Sequence, residues 1–333
     1  MARNILITGG AGFIGYHLSR YLLEAGGPDL RLTLVDNLQR GRLDADMHEL
    51  LADPRMRFLQ LDLTDQAVYK ELGNGYDHVY HLAAVNGTNL FYEIPHEVLR
   101  INTLSLIYML EWFRRENKEG KFLFTSSNEA YAGALAAFNQ LPIPTPEAVP
   151  LVIEDTYNPR WTYAGTKLIG EQFMIHYAEQ YKLRALIVRP HNFYGPRAGY
   201  SHVIPQFSLR IAERSDPFAI FGSTDTRTFC FIDDAVRAMG LLMDSEKTDT
   251  LPIETVHIGD FQEISMGDLL EKMFNVTGWR PKSVEVKNSV EGSVARRLGD
   301  VSKLQFLVDW KPKVSLEDGL LRTYEWYKKN PKK

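Results

Sequence analysis

Residues Arg3-Asn4-Ile5-Leu6-Ile7-Thr8-Gly9-Gly10-Ala11-Gly12-Phe13-Ile14-Gly15 constrain the fold most, because a short apolar run passes straight into a glycine-rich turn and then a helical pattern. Gly10, Gly12 and Gly15 satisfy G-x-G-x-x-G, and Gly9, Gly12 and Gly15 satisfy the wider G-x-x-G-x-x-G spacing. A dinucleotide pyrophosphate must approach backbone N–H groups at a helix N-terminus, and side chains at the turn block that approach. The pattern carries weight only between a strand and a helix. That setting is present: Phe13 to Ala25 reads as a helix stopped by Gly26-Gly27, and a second apolar run ends at Asp36, 21 residues after Gly15. The stretch predicts a phosphate cradle.

Short β-branched or aromatic runs at 3–8, 31–36, 57–61, 77–82, 121–126 and 184–189 alternate with helix-length segments. This alternation predicts an α/β protein with a doubly wound parallel sheet and helices on both faces. Phe13–Ala25, Pro95–Glu116 and Trp161–Lys182 read as helices, the second with Val98, Ile101, Leu104 and Tyr108 on a helical period. After residue 190 the alternation weakens, and further strands are expected near 228–232 and 254–258. Residues 1–190 are expected to form the dinucleotide-binding domain, with the later strands near 228–258 returning to it. Residues 191–330 are expected to form mainly a smaller, mixed domain for a second ligand. The segment 133–150, with Pro142, Pro144, Pro146 and Pro150, follows a strand end where loops of such sheets face the ligand, and reads as either a lid or an inert surface loop.

The 333 residues provide ample core, and a net charge of −4 gives no general attraction to nucleic acid or an anionic membrane. No apolar run approaches the ~20 residues of a membrane span, and the N-terminus does not read as a signal peptide. The one cysteine, Cys230, sits in an apolar run and is expected to be a buried inert thiol, so a reducing cytoplasm is the expected compartment. The nine histidines show no metal-ligand spacing, and no metal is expected.

Asp36 at the end of the second strand is placed to accept hydrogen bonds from the adenosine ribose, and its charge disfavours a 2′-phosphate. NAD is expected over NADP, although Arg40 four residues later softens the repulsion. Tyr163 and Lys167 are spaced one helical turn apart on one face. A tyrosine acting as a base near neutrality needs about 4 kcal/mol of phenolate stabilisation. The Lys167 ammonium and an oxidised nicotinamide can supply it. Ser126 and Ser127, at the end of the 121–126 strand, would reach the same cleft, one hydroxyl bonding the reacting substrate oxygen.

Taken together, Thr8–Gly15, Asp36-Asn37-Leu38, Asp62-Leu63, His81-Leu82-Ala83-Ala84, Asn102, Ser126-Ser127, Tyr163 with Lys167, and Arg189-Pro190-His191-Asn192-Phe193-Tyr194-Gly195-Pro196-Arg197 form a set. With Arg227, Asp233-Asp234, Asp300-Val301-Ser302-Lys303 and Trp310-Lys311-Pro312, the chain resembles an extended short-chain dehydrogenase/reductase of the NAD-dependent nucleotide-sugar epimerase/dehydratase family over nearly its whole length. The resemblance implies a Rossmann sheet holding NAD through Gly9, Gly12, Phe13, Ile14, Gly15, Asp36, Asn37, Asp62, Leu63, Leu82, Ala83, Ala84, Asn102, Tyr163 and Lys167. It also implies a nucleotide-diphosphate sugar held by Asn86, Ser127, Asn128, Asn192, Arg227 and Arg297, and a homodimer formed through helices 95–116 and 161–182.

In such enzymes Tyr163 would deprotonate the sugar 4-hydroxyl as C4 is oxidised, and the resulting ketone would acidify the C5 hydrogen. Glu129, two residues after Ser127, stands where 4,6-dehydratases and uronate decarboxylases carry glutamate. Ser127, Tyr163, Lys167 and Glu129 are therefore the expected catalytic residues, and dehydration or decarboxylation is the expected second step. Asn128 departs from the aspartic acid of one dehydratase branch, and Arg160-Trp161 resembles the decarboxylase branch. Two alternatives stand: a 4-epimerase that does not use Glu129, and a non-catalytic NAD sensor or scaffold, which would need no base at Tyr163.

Overall fold

A computed structural model describes residues 3–134, 141–289 and 295–331. At its centre lies a seven-stranded parallel sheet of β1 (Arg3–Thr8), β2 (Leu30–Asp36), β3 (Met56–Gln60), β4 (His78–His81), β5 (Lys121–Thr125), β6 (Arg184–Pro190) and β11 (Glu254–Ile258). Helices cover both faces, so the strands need apolar residues on both sides: Ile5, Leu6 and Ile7 are all fully buried. On one face α1 (Phe13–Ala25) packs against α7 (Ile232–Asp244), and on the other α4 (Pro95–Glu116) packs against α5 (Trp161–Tyr181). Short helices α2 (Ala45–Leu51) and α3 (Thr88–Glu93) complete this half.

The strand order is β11-β6-β5-β4-β1-β2-β3. The chain moves outward from β1 to β3 and then returns to β4 on the other side of β1, which opens a crevice at the C-terminal ends of β1 and β4.

The predicted strands and long helices of this half are present with ends displaced by a residue or two. The helix expected to reach Lys182 stops at Tyr181 because Lys182 adopts a left-handed conformation with φ of 56°. Of the two later runs, 254–258 joins the sheet as β11, whereas 228–232 does not. There β10 (Cys230–Phe231) pairs with β7 (Phe193–Tyr194), and Ile232 already begins α7, whose first turn carries Asp233 and Asp234.

The remaining chain makes two small sheets. One has the order β12 (Ile264–Ser265), β9 (Thr226–Arg227), β14 (Arg296–Arg297); the other pairs β8 (Phe218–Phe221) with β13 (Val284–Lys287). Helix α8 (Met266–Thr277) packs on β8 and β12, α6 (Val203–Ala212) and α10 (Leu316–Lys329) pack against α8 and each other, and α9 (Ser302–Val308) packs against α7 and β11. Cys230 is fully buried, and burial pushes its thiol well above the ordinary range.

Residues 135–140 of the proline-rich 133–150 segment lie outside the described residues. The described remainder, 133–134 and 141–150, is anchored at Thr145. Thr145 is fully buried, its N–H donates to the Leu298 carbonyl at 2.8 Å, and its carbonyl accepts from the Asp300 N–H at 2.8 Å. These bonds pin the segment to the strap that carries Arg297.

Candidate active site

The turn after β1 leaves room for phosphate because of its glycines. Gly9 has φ of +69°, a conformation that disfavours any side chain, and a Cβ on Gly15 would stand 2.3 Å from the Gly9 carbonyl oxygen. A Cβ on Gly12 would meet only that same oxygen, at 3.1 Å, so its Cα faces open space. Asp36 is fixed by the Ala11 and Leu38 N–H groups, which donate to its two carboxylate oxygens at 3.1 and 2.9 Å. Burial outweighs these bonds and raises its pKa.

A cleft of about 290 Å³ runs from this turn across the switch point. Gly9, Gly12, Phe13, Ile14, Gly15, Asp36, Asn37, Asp62, Leu63, Leu82, Ala83 and Ala84, which the resemblance assigns to the cofactor, line it, and so does Asn86, which the resemblance assigns to the sugar. Arg40, Ser105 and Arg197 add to the wall. The Arg40 guanidinium lies near Gly87, and its charge pulls the Tyr163 hydroxyl down. Asn102 differs from expectation. It is buried, its side-chain oxygen accepts from the Val85 N–H at 2.7 Å, and its amide donates to the Val85 carbonyl and the Thr166 hydroxyl. It braces the cleft wall from behind. The cradle, the open Cα of Gly12 and the carboxylate of Asp36 fit a dinucleotide such as NAD.

Tyr163 and Lys167 occupy the first turns of α5 behind the end of β5. Tyr163 stacks on Phe91 with ring centroids 5.3 Å apart. Lys167 Nζ donates to the Thr125 carbonyl at 2.7 Å and lies 5.4 Å from the Tyr163 ring centroid. Burial brings the ammonium down to about 7, opposed by the charge of Glu171. Burial also raises the Tyr163 hydroxyl, and the Glu129 charge raises it further, while Ser127 and Arg40 pull it down. These protein groups alone therefore leave Tyr163 protonated at neutral pH, and the expected phenolate requires the positive nicotinamide as well.

The sugar end is a charge cluster. Glu129 accepts from Arg297 Nη1 at 2.5 Å and from Arg160 Nη1 at 3.2 Å, one guanidinium on each carboxylate oxygen. Burial favours protonation of Glu129, but the two arginines outweigh it and hold the carboxyl below its ordinary range. Its N–H donates to the Ser127 hydroxyl at 3.2 Å, which fixes the Ser127 to Glu129 turn. Arg227 lies in register with Arg297 across β9 and β14, and burial together with that neighbour brings it down to about 10. Its Nη1 donates to the Thr226 and Ala295 carbonyls. Asn192 has φ of 45° and donates its amide to the Thr228 carbonyl at 2.8 Å, which ties the turn after β6 to the segment before β10. Arg297 Nε and Asn128 Nδ2 are buried donors without a partner among the described residues.

Sequence reasoning missed the pairing of Glu129 with Arg160 and Arg297, and the buried pair of Glu171 with Arg189. A signal for Glu171 existed, since it continues the spacing of four from Tyr163 and Lys167. Among the described residues no group of three His, Cys, Asp or Glu side chains could hold a metal ion, and no helix is long and apolar enough to cross a membrane.

Residues 5–259 match the family model described as NAD dependent epimerase/dehydratase family. The chain is 33% identical to a UDP-N-acetyl-alpha-D-glucosaminuronate decarboxylase from Bacillus cytotoxicus, covering 98% of each chain. Among solved structures it resembles a UDP-glucose 4-epimerase with UDP-glucose from Thermotoga maritima, with a TM-score of 0.82 and 28% identity over 99% of this chain and 100% of that one. It also resembles a dTDP-glucose 4,6-dehydratase from Streptomyces venezuelae with NAD bound, with a TM-score of 0.83 and 26% identity over 98% of this chain and 97% of that one.

Proposed function

The chain belongs to the NAD dependent epimerase/dehydratase family, and from that premise we propose that it oxidises a nucleotide-linked hexose at C4 and then breaks a bond next to C5, decarboxylation of a hexuronate being the reaction its sugar-end charges suit best. The bound dinucleotide supplies the hydride acceptor. Tyr163 takes the proton of the 4-hydroxyl, Ser127 hydrogen-bonds the same oxygen, and Lys167 holds the field that makes the phenolate accessible.

One observation carries the choice of second step: Glu129 is held ionised between two guanidiniums, and the unpartnered buried groups near it include two donors, Arg297 Nε and Asn128 Nδ2, beside the Tyr131 hydroxyl. Donors without acceptors match a carboxylate on C6 better than a hydroxymethyl group. Once C4 is a ketone, a C6 carboxylate is a β-keto acid. Its C5–C6 bond breaks to release carbon dioxide, the electron pair passes into the C4 carbonyl as an enolate, and a proton then adds at C5. No base is needed at C5. Dehydration does need one, and a carboxylate clamped by two arginines is a weak base.

A second reading, a 4-epimerase using Ser127, Tyr163 and Lys167 without Glu129, draws on the likeness to an epimerase structure. The complete set of Tyr163, Lys167 and Ser127 argues against a sensor or scaffold. Proton NMR in deuterium oxide with UDP-glucuronate, UDP-N-acetylglucosaminuronate, UDP-glucose and dTDP-glucose separates these readings. Loss of carbon dioxide with deuterium at C5 is the expected result, and a C4 epimer with unlabelled C5 as the sole product overturns it.

The same reading includes a homodimer through the outer faces of α4 and α5, supported by the exposed Leu99 and Ile169, and a cytoplasmic location. Light scattering in solution tests the first and cell fractionation the second.

A further inference from the structure

Tyr163, Lys167 and Glu171 follow one another at intervals of four along α5 and form one stripe. That stripe is laced to the end of β5. Lys167 Nζ donates to the Thr125 carbonyl at 2.7 Å, and the next residue, Ser126, donates its hydroxyl to Glu171 Oε1 at 2.5 Å. From β6, Arg189 donates through Nε and Nη2 to the two oxygens of Glu171 at 2.8 and 2.7 Å. Both partners are 4% exposed. A buried ion pair can often be replaced by apolar side chains without loss of stability, so its place beside the catalytic lysine asks for a role other than stability.

We propose that Glu171 is a positioning residue of the catalytic pair. Its negative charge, one helical turn from Lys167, favours the ionised ammonium against burial, and so helps set the pH at which Tyr163 takes the sugar proton. This rests on the reading of Tyr163 as the base.

The surroundings of Lys167 support the role. On its own helix it faces Tyr163 and Glu171. From β5 come the Phe124 ring, 4.9 Å from Nζ, and the Thr125 carbonyl, neither of them charged. From β4 comes His81, which burial and Lys167 push down to about 3, leaving it neutral; its Nδ1 lies 2.9 Å from the Thr8 hydroxyl. From α4 comes Asn102, uncharged and bonded to Thr166. Arg189 on β6 is turned to Glu171 and also donates to the Glu147 carbonyl at 2.9 Å. Tyr163 in turn feels Glu129 and Arg40. Glu171 is thus the anion that opposes the desolvation of Lys167.

The test titrates the NAD-loaded protein and follows tyrosinate absorbance, with Tyr163→Phe as the baseline, so that only Tyr163 is read and no sugar is required. In Glu171→Gln the midpoint is expected to rise by about one pH unit, because a less charged Lys167 stabilises the phenolate less. Glu171→Gln/Arg189→Gln removes the stranded guanidinium and is expected to show a rise in the same direction. If the midpoint stays at the wild-type value in both variants while only the melting temperature falls, Glu171 is structural and the proposal fails. Return to the wild-type midpoint in the double variant alone also overturns it, since the shift then came from Arg189. Absence of any Tyr163-dependent signal in the wild type between about pH 6 and 10 overturns Tyr163 as the base, and the role of Glu171 with it.

Discussion

The Glu129 carboxylate meets Arg297 Nη1 at 2.5 Å across 168 positions of sequence. Arg160 takes the other oxygen, so the carboxylate is a fixed anion rather than a free base. Glu129→Gln removes the charge that balances the two arginines and with it one of the charges that keeps the Tyr163 hydroxyl protonated, so the first step is expected to persist. Turnover to a C5-altered product is expected to fall by about tenfold or more, because guanidiniums no longer balanced by Glu129 hold the C6 carboxylate more tightly than the carbon dioxide it becomes, while substrate still raises the reduced-nicotinamide absorbance. Tyr163→Phe should abolish that absorbance rise. Single-turnover spectra of both variants decide the matter, and equal loss of the absorbance change in both contradicts the division of labour.

The glycines of the cradle are expected to separate into two kinds. A Cβ at Gly15 would collide with backbone, 2.3 Å from Gly9 O and 2.7 Å from Gly10 Cα, so Gly15→Ala must move the turn itself. The cost is about 1–3 kcal/mol of stability, with NAD binding lost as well. Gly12→Ala meets only Gly9 O at 3.1 Å and should fold nearly normally, yet bind NAD at least about tenfold more weakly because the methyl stands where the pyrophosphate approaches. Melting curves with and without NAD, read beside a binding titration, distinguish these outcomes.

How much of this was legible depends on the range of the interaction. The sheet and its cradle were readable because each strand carries its own apolar run and the glycine spacing lies within a single turn. Tyr163 and Lys167 were readable for the same reason, being one helical turn apart. The partners of Glu129 were not, since Arg160 reaches it from the start of α5 and Arg297 from a two-residue strand whose place is set by pairing with Arg227. The strand expected near 228–232 is present only as the two residues of β10, for a similar reason: the run Thr228 to Ile232 is apolar enough for a strand, but two acidic residues follow it immediately and favour a helix N-terminus there. Asn102 was assigned to the cofactor by resemblance, and only the fold shows that both ends of its amide serve Val85 and Thr166.

Asp233 links three helices, and that linkage makes a prediction about acid stability. It accepts from Arg20 at 2.8 Å and Arg322 at 2.6 Å and lies 3.6 Å from His17 Nδ1. Burial raises its pKa, but these partners outweigh burial and bring it down to about 2. A depressed carboxylate contributes stability that is complete above its unfolded pKa of about 3.9 and is lost as pH falls toward the folded value. The contribution is about 2 kcal/mol at neutral pH. Asp233→Asn should therefore lower the melting temperature at neutral pH and flatten its fall between about pH 4 and 2. Parallel wild-type and variant curves across that window contradict this.

Lys121 is expected to be a stability determinant remote from the chemistry. Its side chain is 2% exposed at the start of β5, and Nζ donates to the Ser245 carbonyl at 2.8 Å and the Thr248 hydroxyl at 2.7 Å, with Asp249 Oδ1 at 2.6 Å. The ammonium thus closes the carbonyl end of α7, where helix termini leave acceptors unsatisfied and attract positive charge. Burial lowers its pKa while Asp249 opposes the change. Lys121→Met keeps the stem but strands these acceptors, at a cost of about 3 kcal/mol. Asp249 retains Arg184 at 3.8 Å, so Lys121→Met/Asp249→Asn should recover only part of the loss. Denaturant midpoints of the two variants check this, and the NAD affinity of the folded fraction should be unchanged because Lys121 lies at the opposite end of β5 from the cleft.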